Sequence, residues 1–441
     1  MLVDKERIAR VSGLATPIIA GVLATNIMSL IDTAMVGSLG NSALAGVGVA
    51  GQIFFLLLAT LLGLSAGVQA VVARRVGESR IEITGKILNA GILISMLISL
   101  TLIVFAYLSV PFIFAVLNDD VSVVAEGLSY FESRVPSLLF IGANIAFRSY
   151  WVGVSLAKWS MVSIIVLSVA NVVFNYLLIY GNFGLPRLEV FGAGLGSTLA
   201  TMVGLFVNVG LASKFAIKNG FLRGLPERFE ILTLLKISYP ESLRQILFCL
   251  GVVVFYVLVG RIGTRELAAF HVVISICIVA YLPNIGFGGA AITLVGEALG
   301  RRDPEDAQLW GWFVSNLGLV VLGLLGVVIA VVPHLFLGVF LVDESTVHLA
   351  IVPLQIGVLA HVVEGYSKIV GSALLGAGAT KTVLVWSSSL QWLFFLPMLG
   401  LAIQFGFGLV AAMNIFLIYA ILSALVFAIH WYKGDWRSIQ I

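Results

Sequence analysis

Asp32 stands out for its setting. It sits in Ser29-Leu30-Ile31-Asp32-Thr33-Ala34-Met35-Val36-Gly37, inside a long apolar run with no basic residue within a helical turn. A charge at bilayer depth costs about 2.5–3.5 kcal/mol on insertion scales, so acids there are few and usually functional. Burial disfavours the ionised form, which suits such a carboxyl group to gaining and losing a proton. The structural alternative is an Asp bonded to Ser29 or Thr33 that only fixes packing. Asn171 and Asn175 are four apart, on one helical face, where they offer amide hydrogen bonds or carbonyl oxygens to Asp32 or act as glue between helices. Ser197 and Thr198 are further candidates, with hydroxyls of a kind that often bonds back to its own helix. Pro17, fifteen residues before Asp32, removes one backbone hydrogen bond, so it marks either a bendable point or a static kink.

A second set lies in the other half of the chain. His361, Glu364 and Lys368 are spaced i, i+3, i+7 on one helical face, and Glu364 and Lys368 can pair at i, i+4. They form either a structural ion pair or part of a substrate cleft. Arg134, Arg148 and Arg244 are also embedded in apolar sequence. Arg244 can reach Glu241 one turn back, and Arg134 can snorkel toward the outer interface. Arg148 has no local partner and is expected to face a cleft or another helix. There is no HExxH, no P-loop, no Cys/His ligand cluster and no GxSxG between a strand and a helix, so the expectation is a protein that is no enzyme and holds no metal or cofactor. Energy for any work must then come from an ion gradient or a partner subunit.

The elements that carry these residues follow from composition. Of 441 residues 60% are apolar and 11% charged, with a mean hydropathy of +1.10. Soluble domains run about 45–50% apolar and about 25% charged. A net charge of +3 gives no footprint for nucleic acid. Cys249 and Cys277 lie in apolar runs and suggest neither disulfide nor metal site. The chain reads as an all-α polytopic membrane protein. Segments of at least about 20 apolar residues occur near 8–37, 43–73, 84–110, 123–154, 159–180, 190–216, 231–260, 266–296, 307–333, 346–376, 383–404 and 408–432, which makes twelve. The termini and the loops after even-numbered spans hold 18 Lys/Arg, and the opposite loops hold three, Arg187, Arg261 and Arg265. Both termini are therefore expected in the cytoplasm.

Adding 223 to a residue number carries Pro17 to Pro240, Gly40 to Gly263, Gly77 to Gly300, Asp120 to Asp343, Gly142 to Gly365, Gly153 to Gly376 and Lys158 to Lys381. No gap is needed from 17 to 158. Six spans per copy make these parallel repeats, and two such bundles facing each other form a central cleft that rocking can open to either side. The division is 1–217 for the first bundle, 218–230 for a basic cytoplasmic linker and 231–441 for the second bundle. Asp32 maps to Phe255, so the acid exists in one copy only.

These residues resemble a known family. Pro17…Asp32-Thr33-Ala34-Met35-Val36-Gly37-Ser38-Leu39-Gly40 with Leu44-Ala45 is similar to span 1 of the multidrug and toxic compound extrusion family. Its echo Arg261-Ile262-Gly263-Thr264-Arg265-Glu266-Leu267-Ala268-Ala269, the stretch Leu294-Val295-Gly296-Glu297-Ala298-Leu299-Gly300 and Leu375-Gly376-Ala377-Gly378-Ala379-Thr380-Lys381 extend the resemblance over nearly the whole chain. The resemblance implies a secondary antiporter in a bacterial inner membrane, exporting amphipathic, often cationic, organic compounds in exchange for H⁺ or Na⁺. Its pattern is that of the DinF-like branch. By that likeness Asp32 carries the coupling ion, Asn171, Asn175, Ser197 and Thr198 surround it, and Pro17 is the bend. Some members carry an acid where Asn175 stands, and the acidic cluster of the NorM-like branch is missing from spans 7 and 8. Hard cations want several oxygens and negative charge, so these departures favour H⁺. The expected partners are drugs, H⁺ and membrane lipid, with the chain a monomer. A lipid-linked oligosaccharide flippase of the same superfamily is the alternative that Arg148, Arg244 and Lys368 keep open. A major-facilitator transporter lacks support, because Arg74-Arg75-Val76-Gly77-Glu78 does not carry the Gly-Asp-Arg-type signature.

Overall fold

The structure, a computed structural model, describes residues 4–117, 120–341, 343–439 and 441, and among these helix is the only regular secondary structure. The first repeat supplies α1 (Lys5–Gly37), α2 (Asn41–Gly77), α3 (Thr84–Leu117), α4 (Val121–Arg134), α5 (Ser137–Gly153), α6 (Ala157–Tyr180) and α7 (Glu189–Phe215). The second supplies α8 (Arg228–Gly260), α9 (Thr264–Tyr281), α10 (Pro283–Gly300), α11 (Pro304–Val331), the short α12 (Pro333–Leu337), α13 (Glu344–Gly376), α14 (Thr380–Ser389), α15 (Leu396–Gln404) and α16 (Leu409–Lys433). A π-helical turn, Leu390–Phe395, joins α14 to α15.

Among the described residues eleven helical stretches are individually long and apolar enough to cross a membrane. The twelfth expected span, 123–154, is cut into α4 and α5 by Pro136, which has no N–H to donate. Val135 (φ −55, ψ −39) and Pro136 (φ −58, ψ −24) keep right-handed helical angles, so the rod continues through the break. The span at 266–296 divides in the same way at Leu282, ahead of Pro283. The chain is thus a twelve-span, all-helical membrane protein built from two repeats.

The repeat is physical as well as textual. Asp120 caps α4 by accepting from Ser122 N at 2.9 Å, and Asp343 caps α13 by accepting from Thr346 N at 3.1 Å. The hydrogen bonds to Ser122 hold the Asp120 carboxyl below the usual carboxylate range, and those to Ser345 and Thr346 do the same for Asp343. A Cβ on Gly142 would meet Ser99 Oγ at 2.9 Å, and one on Gly365 would meet Leu322 at 2.6 Å. Ser99 and Leu322 are themselves 223 apart. Glycine recurs at these positions because helices approach closely at the same crossing in each copy.

The chain folds into two compact units, Ala20–Ser242 and Met1–Ile19 with Leu243–Ile441. The division 1–217, 218–230 and 231–441 follows chain order; the contacts assign the first part of α1 to the unit of the second repeat and the first part of α8 to the unit of the first. Both borders obey the 223 offset, 19 to 242, and each lies two residues past Pro17 or Pro240. In one unit α8 crosses α2 where a Cβ on Gly63 would strike the Ser242 backbone, and Ser242 Oγ donates to Thr60 O at 2.7 Å. In the other, α1 crosses α10 where a Cβ on Gly286 would lie 2.7 Å from Ala15 O. Glycines 63 and 286 are again 223 apart.

Charges fasten both crossings. Arg75 at the end of α2 pairs with Glu230 at 2.8 Å and with Glu78 at 2.8 Å, and both Arg75 and Glu230 are buried. Arg7 at the start of α1 pairs with Asp306 at 3.0 Å and lies 4.6 Å over the Trp310 ring, while Arg10 pairs with Glu297. Positions 7 and 230 are equivalent in the repeat yet carry opposite charge, and each is paired within its own unit, at a partner position the other copy does not share. Overpacking a close crossing costs about 1–3 kcal/mol, whereas Gly to Ala in an open helix gains up to about 1 kcal/mol. Gly63→Ala and Gly286→Ala are each expected to lower the melting temperature in detergent, and Gly13→Ala, with nothing within 4 Å, to leave it equal or higher.

Candidate functional site

Asp32 lies on the part of α1 that belongs to the Ala20–Ser242 unit, where it faces α6 and, across α6, α7. The close contact of α6 with α7 arises at small residues: a Cβ on Gly192 would meet Leu178 O at 2.6 Å, and one on Gly196 would strike the Asn175 amide oxygen. The end of α1 is tied to α6 through Tyr180, whose hydroxyl donates to Met35 O at 3.3 Å and is 2.9 Å from Ser38 Oγ. Asp32 is partly buried, and Asn171 and Asn175 are each 1% exposed.

The carboxylate meets donors. Asn175 Nδ2 donates to Asp32 Oδ1 at 2.8 Å. With its amide nitrogen turned to the acid, Asn171 donates to Oδ1 at 2.7 Å and Oδ2 at 3.1 Å, and its oxygen accepts from Ser197 Oγ at 3.0 Å. The opposite amide orientation would set an oxygen against the carboxylate, so the network fixes the first. Thr33 bonds its own helix at Ser29 O, 2.8 Å away. Asp32 is therefore held by another helix, not by Ser29 or Thr33. Asn175 Oδ1 is buried and has no hydrogen-bond partner among the described residues.

Four of the five residues expected around the ion, Asp32, Asn171, Asn175 and Ser197, come together. Thr198 does not join them: its hydroxyl donates to Ser133 O at 2.8 Å and Gly194 O at 3.1 Å, which pins α7 to the end of α4. The next residue on a helix points about 100° away, so Ser197 and Thr198 cannot serve the same site. Pro17 lies inside a continuous α1, four helical turns from the acid. Sequence spacing missed two neighbours. Gly196 gives the Asn175 amide its room. Arg134, packed over Phe54 at 4.8 Å and Tyr130 at 5.6 Å, attracts Asp32 through space. Neither was visible, because each meets Asp32 or its partner from a different helix.

In the other unit the position equivalent to Asp32 is filled by a ring. Phe255 lies 4.7 Å from Phe270 and 5.0 Å from Phe395, centroid to centroid, in a buried cluster with Phe416 and Tyr419. His361 bonds its own helix at Gly357 O, 2.8 Å away, and lies edge-to-face with Tyr281 at 5.9 Å and tilted against Phe416 at 5.1 Å. Glu364 and Lys368 pair at 3.8 Å, with Lys368 4.6 Å over Phe248. Arg244 is buried in the same unit and, with Glu364, acts electrostatically on Tyr281 and Tyr419. Arg148, on α5, is partly buried.

A hydrogen bond to a charged group contributes about 1.5–3 kcal/mol. In a double-mutant cycle read by unfolding in detergent, Asp32→Asn and Asn175→Leu are expected to couple by at least about 1 kcal/mol. Asp32→Asn and Thr198→Val are expected to add within about 0.5 kcal/mol.

Known proteins match this arrangement along both repeats. The MatE family model matches residues 17–177 and 240–398, two stretches that begin 223 residues apart. A multidrug resistance protein NorM of Burkholderia vietnamiensis is 26% identical over 390 residues, 86% of this chain and 83% of that one. Among solved structures, a MOP-superfamily transporter from Pyrococcus furiosus aligns at a TM-score of 0.88 with 18% identity, covering 98% of this chain and 96% of its own. The Vibrio cholerae MATE transporter VcmN, in its bent form, aligns at 0.88 with 19% identity and 97% of each chain. With the family model spanning well over half the sequence and the fold shared end to end, the chain belongs to the multidrug and toxic compound extrusion family of multi-pass membrane transporters.

Proposed function

We propose that this transporter exports amphipathic, often cationic, organic compounds in exchange for H⁺, with Asp32 as the coupling group, in a bacterial inner membrane with both termini cytoplasmic. The observation that carries the reading is one carboxylate ringed by amide donors in one unit, with Phe255 walled by aromatic rings at the equivalent position. The NorM relatives are named as multidrug resistance proteins, which supports a drug-exporting role.

Ionised Asp32 accepts from Asn171 and Asn175 and so ties α1 to α6. A proton on the carboxyl group removes an acceptor and creates a donor. The amide oxygen of Asn175, unpartnered and beside Gly196, is the group that can receive it once the amide turns. That exchange loosens α1 from α6 and moves it about the Pro17 region, where the helix lacks one backbone hydrogen bond. Proton and drug must favour different states, since a ligand with equal affinity for both shifts nothing. One charge moving across roughly 150 mV supplies about 3.5 kcal/mol, enough for roughly a 300-fold gradient of substrate.

The donor set favours H⁺ over Na⁺. Na⁺ at Asp32 would require both amides to turn their oxygens inward beside a single carboxylate. The flippase alternative is weakened at Lys368, whose charge is already matched by Glu364.

In proteoliposomes, export of a fluorescent organic cation is expected to follow an imposed pH gradient and to be indifferent to a Na⁺ gradient. Asp32→Asn is expected to abolish it in a protein that still folds; full-rate pumping by that variant would overturn the assignment. Pro17→Ala restores a backbone hydrogen bond. It is expected to slow export severalfold at an equal or higher melting temperature, whereas a static kink would leave the rate unchanged.

A further inference from the structure

Arg148 is a cation without an anion. Its helix α5 packs against α2, α3, α6 and α7, and thirteen of its seventeen residues are buried, so lipid does not reach it freely. The bonds of its neighbours fix where it faces. Asn144, four residues before, donates to Thr201 O on α7 at 2.8 Å, and Trp151, three residues after, donates to Asn208 Oδ1 on α7 at 3.0 Å. Ser149 meets Ser65 on α2 at 2.8 Å. At about 100° per residue, Arg148 falls on the arc between the α7-facing pair and the α2-facing serine. It therefore enters the seam between α2 and α7, on the face of α5 turned away from α3.

Nothing among the described residues answers its charge. Among the described residues none gives Arg148 an ion pair, a hydrogen bond or a ring contact, and no charged group acts on it. Arg75 and Arg7 in the same fold are paired, and Arg134 lies on aromatic rings. An uncompensated guanidinium within a bundle is costly, which is why such residues pair or mark a pathway. Its planar fork of donors matches an oxyanion bidentately.

We propose that Arg148 receives an anionic oxygen group, a carboxylate or a phosphate, on the compound carried, so that acidic amphiphiles are among the substrates. This rests on the export reading above and narrows its substrate class. It places a fixed cation in the same unit as the titrating acid, so the unit can hold an acidic compound and a proton on separate groups.

The test is equilibrium binding of dansylglycine and its uncharged methyl ester to the full chain in a neutral detergent, read by dansyl fluorescence at pH 8. Wild type is expected to bind the acid at least tenfold more tightly than the ester. Arg148→Met is expected to bring the two within about twofold by weakening the acid alone, with unchanged ester binding as the control for folding. Arg148→Lys, which keeps the charge and loses the fork, is expected to fall between. Equal binding of acid and ester by wild type, or equal loss of both in Arg148→Met, overturns the proposal. Displacement of the acid by phosphatidylglycerol at equimolar concentration would assign the seam to a lipid headgroup and overturn the cargo role. Because no gradient is imposed, acid selectivity without pH-driven export in vesicles would sink the export reading and leave the anion subsite standing.

Discussion

One hydrogen-bonded carboxylate organises the polar cluster of the Ala20–Ser242 unit. Asp32 is tied to α6 by amide donors from Asn175 and Asn171, and the Tyr180 hydroxyl adds a neutral bond to Met35 O near the end of α1. Amides make a switchable tie because each carries a donor and an acceptor on one rotatable group. The same pair that holds an anion can turn to meet a hydroxyl, without importing another charge into the bilayer. Gly196 belongs to this device as much as the asparagines do, since any side chain there would fill the space the amide needs.

Duplication gave the protein two copies of one six-span plan, and the copies have diverged where chemistry is done. Caps, glycine crossings and helix borders remain in register at an offset of 223 residues. The acid does not. At its place the second unit has Phe255 among four aromatic rings, packing that is favourable at centroid separations of 4.5–7 Å and puts no carboxylate at that position. The frame is shared while the content differs, a carboxylate in one unit and an aromatic ring in the other.

The frame was legible in the sequence because membrane spans are written in long apolar runs and the repeat in glycines, prolines and capping acids. Spans 123–154 and 266–296 were located, though each is two helices, since a proline breaks hydrogen bonding without ending hydrophobicity. The Asp32 cluster was legible as far as spacing on one helix allows: Asn171 and Asn175 share a face by arithmetic, and Asp32 was singled out by its apolar setting. Ser197 was separated from Thr198 only by the direction of α7. Arg134, Tyr180 and Gly196 were hidden because they act across helices, where one-dimensional distance carries no information.

The exchanged half-helices have a consequence for how the chain is made. The unit that contains Asp32 is not finished when the first repeat leaves the ribosome, because residues up to Ser242 complete it. The second unit in turn includes Met1–Ile19, which precede the first unit in the chain. Each repeat thus lends the other the stretch of helix that runs up to just past its proline, Pro17 or Pro240.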